Sequence, residues 1–577
     1  MKPRTQARKF LAAGLALGLA AAAGCARRHG GPSASSKPVV QEDQKKSSLP
    51  VSVPVKPPQA HLQARYSTAT HPMPKFLGAK IQSSAMGVAA EMSAPAPAGA
   101  YAQDFNTESY RYLEENKFRT AAGFPLSTFS IDVDAASYAN ARRFLNSDQL
   151  PPEDAVRIEE FINYFRYDYP EPAGEHPFSI TTDIASCPWK PEHKLVRIGL
   201  KGRSTPQGQL PPNNLVFLVD SSGSMQSTEK LPLLKKAFRL LVEELRPQDR
   251  VAIVAYAGSA GLVLPSTPGD RKEKILEALE QLEAGGSTAG GQGIELAYET
   301  ARQNLLKDGN NRVILATDGD FNVGVTSEGE LVRMIEQKRE HGIYLTALGF
   351  GRGNYKDSTM EMLADKGNGN YAYIDGLLEA QKVLVQEMGG TLLTIAKDVK
   401  IQVEFNPARV QAYRLVGYEN RLLQAEDFSN DKKDAGELGS GHTVTALYEI
   451  IPPGVKADLP GVDPLKYQKP ANSAAASDAS DLLTVKFRYK KPQESESRLM
   501  VATVADAERG WKEAPEDFRF SAAAAGFGML LRDSEYKGWI TYQDILKMAR
   551  GAKGADAEGY RAEFIRLVEK AELLSRI

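Results

Sequence analysis

The periodicity of apolar positions divides the chain into stretches of different character. Up to about residue 105 there is no helical or strand period, and stretches such as PVSVPVKPPQ and MSAPAPAGA are dominated by Pro, Ser and Ala. A segment of this kind buries too little apolar surface to offset the entropy of ordering it, so residues 25–105 are predicted to form an extended tether. Ordered patterning follows. Phe129–Val133 alternates as a short strand, Ser137–Leu145 reads as a helix, and Val156, Phe161, Ile162 and Phe165 recur at helical spacing after Pro151 and Pro152. Phe178–Ile184 and Leu195–Leu200 alternate as strands, so residues 106–205 read as a small α+β unit.

Between residues 210 and 390 the apolar runs become continuous. LVFLVD, VAIVAY, RVILAT and IYLTALGF have the composition of strands buried on both faces. Helical stretches separate or follow them, at Leu231–Leu245, Lys272–Leu282, Gly293–Leu306, Glu328–Glu340 and Leu377–Met388. This repetition predicts an α/β fold, a doubly wound parallel sheet with helices on both faces. Over residues 391–577 alternation returns in VKIQVEF, HTVTALYEI and LLTVKFRYK, a polar surface loop is expected at NSAAASDASD, and SAAAAGFGMLLR and AEFIRLVEKAELL read as helices. The whole is predicted as a Rossmann-like domain flanked by two α+β units.

Composition narrows the function. A chain of 577 residues exceeds one ordinary core. Its 71 Lys and Arg against 72 Asp and Glu create no field that would gather nucleic acid. Cys25 and Cys187 are too few for a disulfide framework. Lys2, Arg4, Arg8 and Lys9 precede an apolar run from Phe10 to Ala23, a secretory signal layout that places residues 1–24 in a cleaved leader. The run is shorter than the ~20 residues a membrane-spanning helix needs.

Ala22, Ala23 and Gly24 before Cys25 resemble the lipobox of bacterial lipoproteins, although Leu is usual where Ala22 stands. The resemblance implies lipidation at Cys25 and a stable membrane anchor. Ala26, where an Asp would signal retention in the inner membrane, points by analogy to the outer membrane. A secreted protein cleaved nearby is the other reading.

Candidate chemistry lies at the strand ends of the parallel domain. Asp220, Ser222 and Ser224 form a D-x-S-x-S loop directly after LVFLV, where open parallel sheets bind ligands. A short carboxylate and two hydroxyls are oxygen donors for a hard divalent cation. EAGGSTAGGQG offers Thr288 and ATDGD offers Asp318, so three loops from separate strand ends can converge on one point. Oxygen-only donors suit Mg2+, Mn2+ or Ca2+ over zinc. The bland reading of the first loop is a helix N-cap, for which Asp and Ser are also preferred. Asp132 and Asp134 share a strand face, but acids at strand ends are commonly solvated, and they are left out of the site.

Together these residues resemble the von Willebrand factor type A (VWA) family and its metal-ion-dependent adhesion site. The resemblance implies that Asp220, Ser222, Ser224, Thr288 and Asp318 hold the ion, the acids partly through bound water, and that a partner protein's Asp or Glu fills an open position. FSIDVDAASYANARRFL, YRLVGYENRLL and DAGELGSGHTVTALYEI extend the likeness to YfbK-type von Willebrand lipoproteins over most of the chain. The expected function is a non-enzymatic envelope lipoprotein that binds a protein through its metal. Two alternatives stand beside it: a structural envelope protein stiffened by the ion, and a metal-dependent phosphatase using Asp318 and Asp320. The second departs from its pattern, since Asn322 follows the acid pair and the pair lies on a late strand. The seven His residues form no H-E-x-x-H, and no G-x-S-x-G surrounds a serine.

Overall fold

The computed structural model describes residues 108–286, 290–319, 328–353, 355–387, 393–433, 435–457, 459 and 480–577. Residues 1–107, on which the expected leader, Cys25 and the expected tether fall, lie outside them, as do Thr288, Asp320 and residues 472–479 of the expected polar loop.

The first flank contains β1 (Arg119–Thr120), β2 (Leu126–Ser130), α1 (Ala136–Asn146), α2 (Ile158–Asn163), β3 (Phe178–Ser186) and β4 (Lys194–Gly202). The parallel domain follows as β5 (Asn213–Asp220), α3 (Leu231–Glu243), β6 (Arg250–Tyr256), β7 (Ala260–Pro268), α4 (Lys272–Glu280), α5 (Gly290–Gln303), β8 (Asn310–Thr317), α6 (Glu328–Glu340), β9 (Ile343–Phe350), α7 (Asp357–Lys366), β10 (Tyr371–Ile374) and α8 (Leu377–Gln381). Its sheet runs β10-β9-β8-β5-β6-β7. All neighbours are parallel except β7, which returns antiparallel along β6. Leu215, Phe217 and Val219 point to one helical layer, while Val216 and Leu218 point to the other. Burial on both faces is why β5 reads as an unbroken apolar run.

The sequence pattern missed three elements here. β7 carries exposed Leu262 and Val263, β10 has only four residues, and α7 has a weak apolar stripe. The helix expected over Leu377–Met388 is α-helical only to Gln381 and continues as a π turn over Lys382–Gln386.

The last flank adds β11 (Thr394–Phe405), β12 (Ala412–Val416), β13 (Leu422–Leu423), β14 (Gly436–Gly439), β15 (Thr443–Ile451), β16 (Asp481–Lys490) and β17 (Arg498–Ala505), then the helices Glu516–Leu531, Tyr542–Arg550 and Tyr560–Leu574. The two α+β flanks, read one at a time from the sequence, pair with each other in the fold. The flanks share two antiparallel sheets, ordered β1-β12-β15-β4-β3 and β13-β2-β11-β16-β17. Alternation reveals that a strand has one buried face but not which strand it pairs with, so a partner some 270 residues away, as Phe129 is for Ile401, leaves no local trace. Phe129, Ile198, Ile401, Val403, Tyr448 and Phe487 form one core shared by the two sheets. A helical layer packs around Tyr138, Phe161, Phe165, Phe520, Phe527 and Phe564. No described helix is long and apolar enough to cross a membrane.

Arginines of this composite body fasten the parallel domain. Arg142 bonds Asp375, Glu379 and Glu563, and Arg157 bonds Glu160, Asp357 and Glu361. Arg421 reaches Asp132, Asp134, Glu361 and Asp365. The acids Asp132 and Asp134 are therefore partners of Arg421 and not a solvated surface pair; Asp134 is buried.

Candidate metal centre

β5 carries its chain of buried apolar residues up to Asp220, whose side chain is 0% exposed. Beyond it the backbone turns sharply. The Ser222 N–H donates to Asp220 Oδ1 at 2.9 Å, Ser222 is extended, and Gly223–Gln226 makes a short 3-10 turn. Met225, fully buried, pins that turn to the core beneath. Ser222 Oγ and Ser224 Oγ consequently lie 3.0 Å apart. The other Asp220 oxygen, Oδ2, accepts hydrogen bonds from Thr317 Oγ1 at 2.8 Å and the Tyr256 hydroxyl at 3.2 Å. These bonds fix the carboxylate and leave lone pairs on both oxygens.

Two further loops meet this one. Gly285 N donates to Ser221 O at 2.8 Å, and Gly223 N donates to Gly286 O at 3.1 Å. Gly286 has a φ of +82°, a turn that glycine makes without steric cost. The loop that leads to Thr288 is thus stitched to the D-x-S-x-S loop up to Gly286, and Thr288 itself lies outside the described residues. Asp318 follows β8, the strand beside β5, and is also 0% exposed. Asp220, Ser222, Ser224 and Asp318 therefore stand on adjoining loops at the carboxyl ends of adjacent parallel strands.

Sequence reasoning missed Lys230. This residue precedes α3, is buried, and its Nζ donates to Asp318 Oδ2 at 2.9 Å. Its stem crosses Gly351, where an added Cβ would come within 2.3 Å of Lys230 Cε. Nothing in a linear pattern distinguishes such a lysine from a helix-capping surface charge. Thr317 and Tyr256 were missed for a similar reason, since each reads as strand core.

Burial pushes the Asp220 carboxyl above its usual range, and the Asp318 charge adds to this, against hydrogen bonds from Ser222 and Thr317. Among the described residues the two carboxylates face the Lys230 ammonium, and a divalent cation would add positive charge beside them. Among the described residues no cluster of three or more His, Cys, Asp or Glu could hold an ion. A cation here would depend on the serine hydroxyls, and an oxygen-only set of this kind fits a hard ion.

Comparison with known proteins shows the family of the chain. The von Willebrand factor type A domain family matches residues 214–387, the von Willebrand factor family described under that single name matches 104–197, and the family "Uncharacterized protein YfbK, C-terminal" matches 390–574. The uncharacterized protein YfbK of Escherichia coli strain K12 is 47% identical over 475 residues, covering 81% of each chain. The uncharacterized protein sll0103 of Synechocystis is 26% identical over 206 residues, 35% of this chain and 48% of that one. Among solved structures, a von Willebrand factor type A protein from Catenulispora acidiphila matches 78% of this chain and 90% of its own at 13% identity, with a TM-score of 0.35. With a near-half-identical relative over four-fifths of its length and a VWA domain between its flanks, the chain belongs to the YfbK family of von Willebrand factor type A proteins.

Proposed function

We propose that the VWA domain binds a protein partner through a divalent cation held by Asp220, Ser222, Ser224, Thr288 and Asp318, without performing chemistry on that partner. The observation that carries this reading is the pairing of two fully buried carboxylates, at adjacent strand ends, with two serine hydroxyls 3.0 Å apart. Asp220 and Asp318 supply charge, the serines and Thr288 supply neutral oxygens, and Lys230 trims the negative charge. When bound, the ion would supply residual positive charge and a position for a carboxylate, which forms a stronger charge-assisted contact than any neutral side chain. Mg2+ is the first candidate, with Mn2+ and Ca2+ as alternatives of the same oxygen-seeking class.

The reading also places the protein in the cell envelope, tethered through lipid on Cys25 and most consistent with the outer membrane. The structural alternative keeps the ion but not the partner, while the phosphatase alternative requires Asp320 to act beside Asp318. Calorimetry with Mg2+ tests the first step. Saturable binding is expected for the parent and is expected to be lost in Asp220→Ala, with the circular dichroism spectrum unchanged. Equal binding by the two proteins would put the ion elsewhere.

A further inference from the structure

Six arginines besides Arg312 are buried among the described residues, namely Arg142, Arg143, Arg157, Arg197, Arg414 and Arg421. Each has a carboxylate within ion-pair distance. Arg312 differs. It is 1% exposed, yet its described contacts are a hydrogen bond from Nη1 to Thr346 Oγ1 at 2.7 Å and the Tyr344 ring, whose centroid lies 5.7 Å from the guanidinium carbon. Its Nε is buried without a hydrogen-bond partner. Among the described residues no carboxylate lies within ion-pair distance of Arg312, and a buried guanidinium that gives up hydration for only the longer-range charge of Glu437 is costly. Burial accordingly lowers its pKa to about 10.

Arg312 lines a cavity of about 570 Å³ between the parallel domain and the composite body. Its walls include Asn370 beside β10, Val383 in the π turn after α8, and Lys201 and Thr443 of β4 and β15. A cavity of this volume accommodates a small organic molecule. Arg312 lies near the start of β8, at the opposite end of that strand from Asp318, so the cavity is separate from the metal loops.

Most other charges on the wall are matched within the protein. Asp132 and Asp134 pair with Arg421, Lys382 pairs with Glu387, and Lys201 pairs with Glu171. Glu437 also lines the cavity, accepts the Asn368 amide at 2.7 Å, and acts on Arg312 through its charge.

We infer that this cavity is a binding site for the oxyanion group of a small molecule, with the Arg312 guanidinium as its anchor. Carboxylate and phosphate each present two neighbouring oxygens that a guanidinium fork can bind in parallel.

The test is thermal unfolding of the full chain in acetate, in inorganic phosphate and in chloride at matched ionic strength, for the parent, Arg312→Met and Arg312→Lys. Anions also stabilise proteins non-specifically, so the variant supplies the baseline. The expected result is a rise in Tm with acetate, or with phosphate, that is present in the parent, reduced in Arg312→Lys and absent in Arg312→Met. Acetate acting more strongly than phosphate would identify a carboxylate site, and the reverse a phosphate site. In chloride Arg312→Met should fold and lose little stability, because Arg312 has no described carboxylate within ion-pair distance and one described side-chain hydrogen bond, to Thr346. Two results would overturn the inference: equal responses of parent and Arg312→Met to both anions, or an Arg312→Met variant that is strongly destabilised in chloride, which would make Arg312 a structural residue.

Discussion

Lys230 makes the proposed metal centre a balance of charges and not a collection of ligands alone. Its ammonium sits on Asp318 Oδ2, a carboxylate with no exposed surface. Breaking a buried pair by removing one partner typically costs roughly 3–5 kcal/mol, because the remaining charge loses its compensation. Lys230→Met should therefore destabilise the ion-free protein, and saturating Mg2+ should recover much of the loss by replacing the missing positive charge. The measurement is the rise in Tm on adding Mg2+, expected to be larger for Lys230→Met than for the parent; an equal or smaller rise would mean that the ion and the ammonium do not act on the same carboxylate. That Asp220, Ser222, Ser224 and Asp318 stand on adjoining loops was legible in the sequence, because a strand end, a hydroxyl-rich loop and a T-D-G turn are each local signals. Lys230 was not, since its role depends on α3 crossing the end of β8, a fact of tertiary packing.

Between elements, the joint of the parallel domain with the body is built from buried arginines shared among several acids. Arg157 is the most enclosed of the three, fully buried with its partners Glu160 and Asp357. Arg157→Met should loosen this joint and separate the unfolding of the VWA domain from that of the body, so that calorimetric scanning shows two transitions where the parent shows one. A single transition in the variant, at an unchanged temperature, would mean that apolar contacts such as Ala136 and Ala139 against Tyr371 and Tyr373 hold the joint alone. Four of the five parallel strands and most of the helices of the VWA domain follow from apolar period, whereas β10 and α7 do not. The composite body was the harder reading. β2 finds β11, β4 finds β15, and β1 finds β12 only after the whole VWA domain has been inserted between them, and no local pattern encodes pairing at that distance.

At the scale of the whole molecule, the proposal joins an anchor at Cys25 to a binding surface on the VWA domain. If the anchor is lipid, Cys25→Ala should move the protein from the membrane fraction to the soluble fraction, or leave an unprocessed precursor. Processing and membrane retention identical to the parent would exclude lipidation as the tether. The central claim is that partner and ion bind as one unit, and capture from envelope extract on the immobilised VWA protein tests it most directly. With Mg2+ present, the parent should retain a protein that is released by chelator and is not retained by Asp220→Ala, Thr288→Ala or Asp318→Ala, while Asp132→Ala retains it normally. Capture of the same protein at full strength in chelator, or by Asp220→Ala, would contradict the account and place recognition on the flanking body.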